Sequence, residues 1–145
     1  MSQINVPGDD HIVRYVKWSC VNKDADDNVL GILGEAFRRK LDDDGLSVNW
    51  LEKADGPPKE KLKATVGLLT IGLKLGGKAR VAVSNVAIFK GVCAHRRAHI
   101  RIVHVPEDGN EPHSEVRQIP RDDDELLELL AVEAVISHHR CVDLI

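Results

Sequence analysis

The chain has 145 residues and a net charge of −3, and 43% of its residues are hydrophobic while 30% are charged. This size and composition are typical of a soluble protein with one domain, residues 1–145, and a core of its own. The polar N-terminus, with Asp9 and Asp10, argues against a signal peptide, and no apolar stretch approaches the roughly 20 residues that cross a bilayer, so we expect a cytoplasmic protein without membrane contact.

Two strands are predicted in the first third of the chain. Residues 11–18, HIVRYVKW, are rich in β-branched and aromatic side chains, and residues 46–52, LSVNWLE, alternate apolar and polar positions. The polar residues 21–28 are predicted to form a loop. Residues 29–40 are ambiguous, because two glycines weaken the helix that their composition would otherwise favour.

The middle of the chain predicts a helix followed by two further strands. Leucines and valines recur at helical spacing over residues 59–75, and a Gly-Gly pair ends that pattern. The apolar run 79–87 is typical of a central strand, and residues 98–105 form a second, more regularly alternating strand. Between them, residues 88–97 form either a short helix or a long turn, and residues 106–120 are predicted to be a loop.

A last helix is predicted over residues 122–138. Asp122 and Glu125 form a capping box, and the acids of its first turn complement the helix dipole. Because this segment is apolar on most sides, we expect it to be buried or to form a partner interface. These elements predict the α+β fold class, a single domain with a mixed or antiparallel sheet of four to five strands and two main helices.

Charge is strongly segregated along the chain. Residues 59–105 contain ten basic side chains and one acid, a net +9, whereas residues 106–128 contain nine acids and two arginines, a net −7. Such a distribution produces an oriented field and is compatible with an anionic partner.

The basic segment supplies the best candidates for anion or nucleic-acid binding, namely Lys90, Arg96, Arg97 and Arg101. The alternative is internal pairing, since the acidic segment comes immediately after it and could fold over the basic one. Only five residues are aromatic, which argues against a stacking platform for single-stranded nucleic acid.

No metal site or cofactor is predicted. Residues 72–79, GLKLGGKA, approach a phosphate-binding loop, but they lack its final hydroxyl and the predicted order of helix and strand is reversed. Cys93 and His95 have a poor spacing for zinc, and no second cluster completes a set of four ligands. The three cysteines, Cys20, Cys93 and Cys141, lack paired spacing and are expected to be free and reduced.

Arg14 stands inside the otherwise apolar first strand, where it either faces solvent or clamps a carboxylate or phosphate in a cleft. A first-strand arginine is similar to that of ADP-ribosyltransferase-like folds, which use it on the dinucleotide. That pattern also has a serine-containing strand and a late glutamate, for which Ser47 and Glu115 are conceivable equivalents although their spacing does not establish the match. His104 or His113 would then be the general acid or base.

The segments HIVRYVKW (11–18), LSVNWLE (46–52), RIVHVP (101–106) and PHSEV (112–116) resemble those of a family of small uncharacterised bacterial proteins. The resemblance implies a bacterial cytoplasmic setting and one shared fold. It implies no activity and no catalytic residues.

Three functional hypotheses are compatible with these features, and the sequence does not decide whether the protein is an enzyme. The leading one is a non-enzymatic accessory or assembly protein that binds a larger protein or a protein–nucleic-acid complex through the basic segment and the apolar C-terminal helix. The second is a direct nucleic-acid binder without sequence preference. The third is a small enzyme acting on a phosphorylated or dinucleotide substrate, of the ADP-ribosyltransferase-like type. The oligomeric state stays open.

Overall fold

The computed structural model describes residues 3–145 and is built around an antiparallel sheet of six strands in the order β6-β7-β4-β1-β5-β8. A separate two-stranded ribbon pairs β2 with β3. The strands are β1 (His11–Val16), β2 (Val21–Lys23), β3 (Val29–Ile32), β4 (Gly45–Trp50), β5 (Arg80–Asn85), β6 (Arg101–His104), β7 (His113–Arg117) and β8 (Val135–Arg140). The helices are α1 (Lys61–Gly72), α2 (Val86–His95) and α3 (Asp124–Leu129). The α+β class is therefore confirmed, with more strands and one more helix than predicted.

The larger core lies on the face of the sheet that α2 and α3 cover. Ile12, Leu46 and Val116 point into it from three neighbouring strands and are at most 1% exposed. Phe37, from a 3₁₀ turn at Gly34–Phe37, meets Phe89 of α2 edge to face, with ring centroids 5.6 Å apart. Burial of these apolar faces is the main force that holds the two helices on the sheet.

The opposite face is covered only in part, because α1 packs mainly over β1 and β5. Val66 of α1 is fully buried against Val13, Val81 and Val83, and Cys141 of the C-terminal 3₁₀ turn joins this smaller core. Over the half of this face formed by β4, β7 and β6, only the end of α1 approaches, at the margin that it shares with Asn49 and His113. The uncovered half is where polar side chains of the strands reach solvent.

The sheet is split between its two central strands. β1 and β5 stay paired over the full length of β1, but β1 and β4 pair only at Ile12 with Trp50 and at Val13 with Asn49. Beyond Val13 the two strands separate, so backbone groups of β4 that a regular sheet would satisfy need other partners. The separation opens a cleft at the middle of the molecule.

The prediction of one helix over residues 122–138 holds through Ala134 and is wrong from Val135 onward. α3 ends at Leu129, a wide π-helical turn spans Leu130–Ala134, and Val135–Arg140 forms β8. β8 pairs antiparallel with β5, whose backbone would otherwise be unpaired on that side. This long-range pairing, with β-branched residues at 135 and 136, outweighs the local helical pattern.

Smaller differences between the predicted and the observed elements also follow from long-range pairing and packing that outweigh the local sequence pattern. The helix predicted over 59–75 is a 3₁₀ turn at Pro58–Glu60 followed by α1. Of residues 88–97, predicted as a short helix or a long turn, 88–95 are helical and belong to α2. The predicted loop 106–120 contains β7, and the ambiguous segment 29–40 contains β3. None of the helices within residues 3–145 has both the length and the apolar character that crossing a bilayer requires.

Candidate functional site

A cleft between β1 and β4, made of two lobes, is the candidate site in the described part of the chain. One lobe, of about 250 Å³, lies between the end of α1, the two strands and the loop 107–110. A second lobe, of about 490 Å³, continues toward the 3₁₀ turn at Gly34–Phe37. The two lobes share four lining residues, which are Arg14, Tyr15, Ser47 and Leu73. The cleft is therefore elongated, with Arg14 and Ser47 near its middle.

Arg14 bridges the gap between the separated strands. Its Nε donates a hydrogen bond to the backbone oxygen of Ala36 at 2.9 Å, and its Nη1 donates to the backbone oxygen of Ser47 at 2.8 Å. Within residues 3–145 its Nη2 has no hydrogen-bond partner. Burial lowers the pKa of Arg14, but a guanidinium stays charged at neutral pH. A fixed positive charge with a free donor thus lines the cleft.

Ser47 and His113 form a hydrogen-bonded pair in the cleft wall. The distance from Ser47 Oγ to His113 Nε2 is 3.3 Å, and His113 Nδ1 lies 2.7 Å from the backbone oxygen of Val105. Since a carbonyl oxygen only accepts, Nδ1 carries the proton and the Nε2 of the neutral ring is an acceptor. His113 is only 5% exposed, so its ring is held in this orientation. The pair has the geometry of a proton donor facing a base.

Glu115 lies on the same face of β7 as His113 and is the cross-strand partner of Ser47. Its Oε1 accepts from Nε and Nη2 of Arg117, both at 3.1 Å. Its Oε2 has no hydrogen-bond partner within the described chain. Ser47, His113 and Glu115 together line a polar mouth of the cleft. A carboxylate held on one oxygen and open on the other can interact with a substrate in this mouth.

His104 lies outside the cleft. Its ring packs edge to face against Trp50 at 5.3 Å, and its Nε2 is 2.7 Å from the backbone oxygen of Glu111. It lines neither lobe of the cleft. Of the two predicted acid–base candidates, His113 and not His104 shares the cleft with Arg14.

The predicted basic residues differ in their surroundings. Arg96 pairs with Asp123 at 3.2 Å and with Glu125 at 3.4 Å, as the internal-pairing alternative predicts. Lys90 is exposed on α2, and Arg97 is exposed in a left-handed conformation just after that helix. Arg101 is exposed at the start of β6, the edge strand beside β7.

The cysteines and histidines form no metal centre in residues 3–145, where no three metal-capable side chains converge. Cys93 is fully buried, and this burial raises its pKa to about 12. A neutral, buried thiol is a small apolar core residue and a poor nucleophile.

Asn49 and Asn110 belong to the site, although no sequence motif singles them out. Asn49 Nδ2 donates to Asn110 Oδ1 at 2.8 Å, and Asn110 Nδ2 donates back to Asn49 Oδ1 at 3.1 Å. This pair ties the loop 107–110 to β4 and forms one wall of the cleft. Only Val116 among residues 113–117 is apolar, so the sequence offers no alternation that would mark the neighbouring strand β7.

Three comparisons with known proteins found no relative of this chain. The chain matches no protein-family model, no curated protein and no solved structure.

Proposed function

We propose that this protein is an enzyme of the ADP-ribosyltransferase type, which binds a dinucleotide such as NAD⁺ in the cleft between β1 and β4. The observation that carries the proposal is that Arg14, Ser47 and Glu115 lie on three adjacent strands at the split of the sheet, where Ser47 lines both the cleft that contains Arg14 and the mouth that contains Glu115. These are the arginine, serine and glutamate that the sequence resemblance names. Each of them has contacts in the folded chain that suit it to one part of the proposed reaction.

Arg14 is the anion-binding group of the proposed enzyme. Two backbone oxygens fix its side chain, and its Nη2 is free to donate a charge-assisted hydrogen bond to a phosphate oxygen. Because the side chain is already ordered, this hydrogen bond costs little conformational entropy. A pyrophosphate is the group of a dinucleotide that such a cation recognises. The elongated cleft, with lobes on both sides of Arg14, suits a ligand whose two nucleosides flank its phosphates.

Exposed apolar side chains line the lobe beneath α1. Ile71 is 70% exposed and Leu73 is 43% exposed, and both face the same lobe as Ser47 and His113. An apolar wall of this kind provides stacking and van der Waals contacts for a flat heteroaromatic ring. In the proposed complex this lobe holds the nicotinamide, which brings the scissile bond toward Ser47 and Glu115.

Glu115 stabilises the transition state of the proposed reaction. Transfer breaks the bond between C1′ of the ribose and the nicotinamide nitrogen, and the nicotinamide leaves with the bonding electron pair. The ribose then has oxocarbenium character, which a nearby carboxylate stabilises directly or through the 2′-hydroxyl. The open Oε2 of Glu115 is available for this contact, while Arg117 holds Oε1.

His113 accepts the proton of the incoming nucleophile. A hydroxyl of the acceptor, or water, forms the new bond to C1′ and releases its proton as it attacks. The unprotonated Nε2 of His113, fixed by Val105 and paired with Ser47 Oγ, receives that proton directly or through the serine. Protonated His113 is then stabilised by Glu107, whose Oε1 is 3.7 Å from Nε2.

The test is the release of nicotinamide from NAD⁺, followed by chromatography, together with NAD⁺ binding by calorimetry. Water is the acceptor when no other is supplied, so slow hydrolysis is the expected basal reaction. Glu115→Gln removes the charge but keeps the shape, and we expect a loss of about 10²-fold or more in rate with little change in binding. Glu133→Gln, which changes an exposed glutamate in the turn before β8, is the matched control.

The proposal is overturned if purified protein neither binds NAD⁺ nor releases nicotinamide from it. It is also overturned if Glu115→Gln and Glu133→Gln retain equal activity, since the carboxylate of Glu115 would then have no part in the reaction. The accessory-protein and nucleic-acid hypotheses stay predictions. The first of them now has less support, because the apolar C-terminal segment on which it drew is a six-residue α-helix that leads through a π-helical turn into a strand.

A further inference from the structure

Three arginines surround a second, smaller concavity beside the mouth of the cleft. Arg39, Arg101 and Arg117 line this pocket of about 370 Å³, in which Asp44 is the one acid among the described lining residues. Three guanidinium groups face two carboxylates, that of Asp44 and that of Glu115, which pairs with Arg117, so the pocket keeps an excess of one positive charge. Such a pocket is complementary to a small dianion.

Two of the guanidinium groups are held in place by other parts of the protein. Arg39 Nε donates to the backbone oxygen of Ile119 at 3.1 Å, and its Nη1 donates to that of Asp43 at 2.9 Å. Arg117 is held by Glu115, with both contacts at 3.1 Å. Fixed cations bind an anion at a lower entropic cost than mobile ones.

The third arginine has no such partner. Within residues 3–145 Arg101 makes no ion pair and no side-chain hydrogen bond, yet it is the direct cross-strand partner of Arg117. Like charges directly opposite one another destabilise an antiparallel pair. An anion placed between Arg101 and Arg117 removes that repulsion and gives Arg101 a partner.

We propose that Arg39, Arg101 and Arg117 form a binding pocket for a phosphate group, and that this phosphate belongs to the acceptor substrate. The pocket stands on its own geometry, whereas its assignment to the acceptor rests on the proposed function. Asp44 and Arg117 line both this pocket and the polar mouth that contains Ser47, His113 and Glu115. A phosphate seated here places the rest of its molecule beside the proposed reacting centre, on the side away from Arg14.

The first experiment titrates inorganic phosphate into ¹⁵N-labelled full-length protein at constant ionic strength, with chloride as the balancing ion. We expect saturable shifts of the backbone amides of Gly45 and Gln118 and of the arginine Nε–H groups. Arg101→Gln removes one charged donor at an exposed position, and we expect about tenfold weaker binding or more. Lys59→Gln makes the same charge change at an exposed position in the 3₁₀ turn at Pro58–Glu60 and is expected to bind phosphate like the wild type.

The absence of saturable shifts, or equal binding by Arg101→Gln and wild type, would overturn the pocket. A second titration, of NAD⁺ in saturating phosphate, tests the assignment. Unchanged NAD⁺ affinity supports a phosphate that belongs to the acceptor, whereas competition overturns that assignment and gives the pocket to the dinucleotide. If NAD⁺ does not bind at all, the proposed function fails while the phosphate titration still decides on the pocket.

Discussion

Arg14 Nη1 donates a hydrogen bond to the backbone oxygen of Ser47 at 2.8 Å, so a side chain of β1 satisfies a group of β4 that the separated backbone of β1 does not. We expect Arg14→Leu to destabilise the protein by about 2 kcal/mol, because the oxygens of Ala36 and Ser47 both lose a charged donor. Urea unfolding followed by circular dichroism measures the change. Arg97→Leu, at an exposed arginine, is the control, and a loss below about 0.5 kcal/mol for Arg14→Leu would contradict the bridging role.

Gly34 marks the closest approach of the 3₁₀ turn to α3. A Cβ at this position would lie 2.6 Å from the backbone nitrogen of Glu128 and 2.6 Å from the carbonyl carbon of Leu127. Backbone atoms cannot rotate away, so Gly34→Ala must push α3 outward, and we expect a destabilisation of about 1–3 kcal/mol by thermal or urea unfolding. The hydrogen bond from Gly34 N to Glu128 Oε1, at 2.7 Å, would be strained by the same shift.

At Gly91 we expect a substitution by alanine to have the opposite effect on stability. It lies in the exposed part of α2, and a Cβ there meets nothing within 4 Å. Because glycine is a poor helix former, Gly91→Ala should stabilise the protein by about 0.5–1 kcal/mol. The two glycine variants measured side by side must therefore differ in sign. A destabilising Gly91→Ala would mean that another molecule or a neighbouring segment covers this face of α2.

Asp123 caps α3 and should make stability depend on pH. Its Oδ1 accepts from the backbone nitrogen of Leu126 at 3.1 Å, and that contact, followed by the ion pair with Arg96, lowers the pKa of Asp123. A carboxyl whose pKa is lower in the folded state stabilises the fold above its unfolded pKa of about 3.9, and this contribution is lost as the pH falls through the folded value. Asp123→Ala should cost about 1 kcal/mol at pH 7, and the difference from wild type should shrink below about pH 4.

Asp123→Asn separates the two contributions of that residue. The amide oxygen can still accept from Leu126, but the charge opposite Arg96 is gone. We expect this variant to retain most of the stability that Asp123→Ala loses, because asparagine is itself a good N-cap. Equal losses for both variants in urea unfolding would show that the ion pair, and not the cap, is the larger contribution.

Cys93 should weaken the fold at alkaline pH. Burial raises its pKa to about 12, whereas an unfolded cysteine has a pKa of about 8.5. Between these values the folded state holds the proton that the unfolded state has released, so stability falls as the pH rises. The stability of wild type relative to Cys93→Ala should therefore decrease by about 2 kcal/mol between pH 8 and pH 10. A difference that stays constant over this range would place a thiolate in the folded protein.

Duplex DNA should bind weakly if at all. Arg96 is already paired with Asp123 and Glu125, which reduces the positive charge that the basic segment offers to phosphates. Fluorescence anisotropy with labelled DNA and RNA across a salt series measures the affinity, with an Arg96→Glu/Arg97→Glu double variant for comparison. Micromolar binding that falls steeply with salt and is lost in this variant would instead support the nucleic-acid hypothesis.

Strands whose own residues favour an extended backbone can be predicted from the sequence. Strands that form because of pairing with a distant segment cannot. β1, β4 and β5 are recognisable because their β-branched and aromatic residues favour extended backbone. β7 has the pattern of a loop, since five mostly polar residues after a proline resemble one. β8 has the pattern of a helix, because the leucine-rich start of that segment dominates locally and the need of β5 for a neighbour is not visible there.

The sequence predicts several residues of the site but not how they are arranged. Arg14 and His113 are candidates from their residue types, and Ser47 and Glu115 from a resemblance. Whether Arg14 faces solvent or a cleft depends on where β1 leaves β4, which is a property of the whole sheet. The choice between His104 and His113 depends on register, because a shift of one residue exchanges the two faces of a strand.

The short pairing of β1 with β4 also marks where the sheet opens most easily. Within residues 3–145 the backbone of β1 pairs with that of β4 only at Ile12 with Trp50 and at Val13 with Asn49, and the Arg14 bridge spans the gap beyond them. With few inter-strand hydrogen bonds along this gap, we expect the backbone there to exchange its amide hydrogens faster than the fully paired strands. A ligand held by Arg14 from one side and by Ser47 and Glu115 from the other would oppose that opening, so slower amide hydrogen exchange along both margins of the gap would accompany binding.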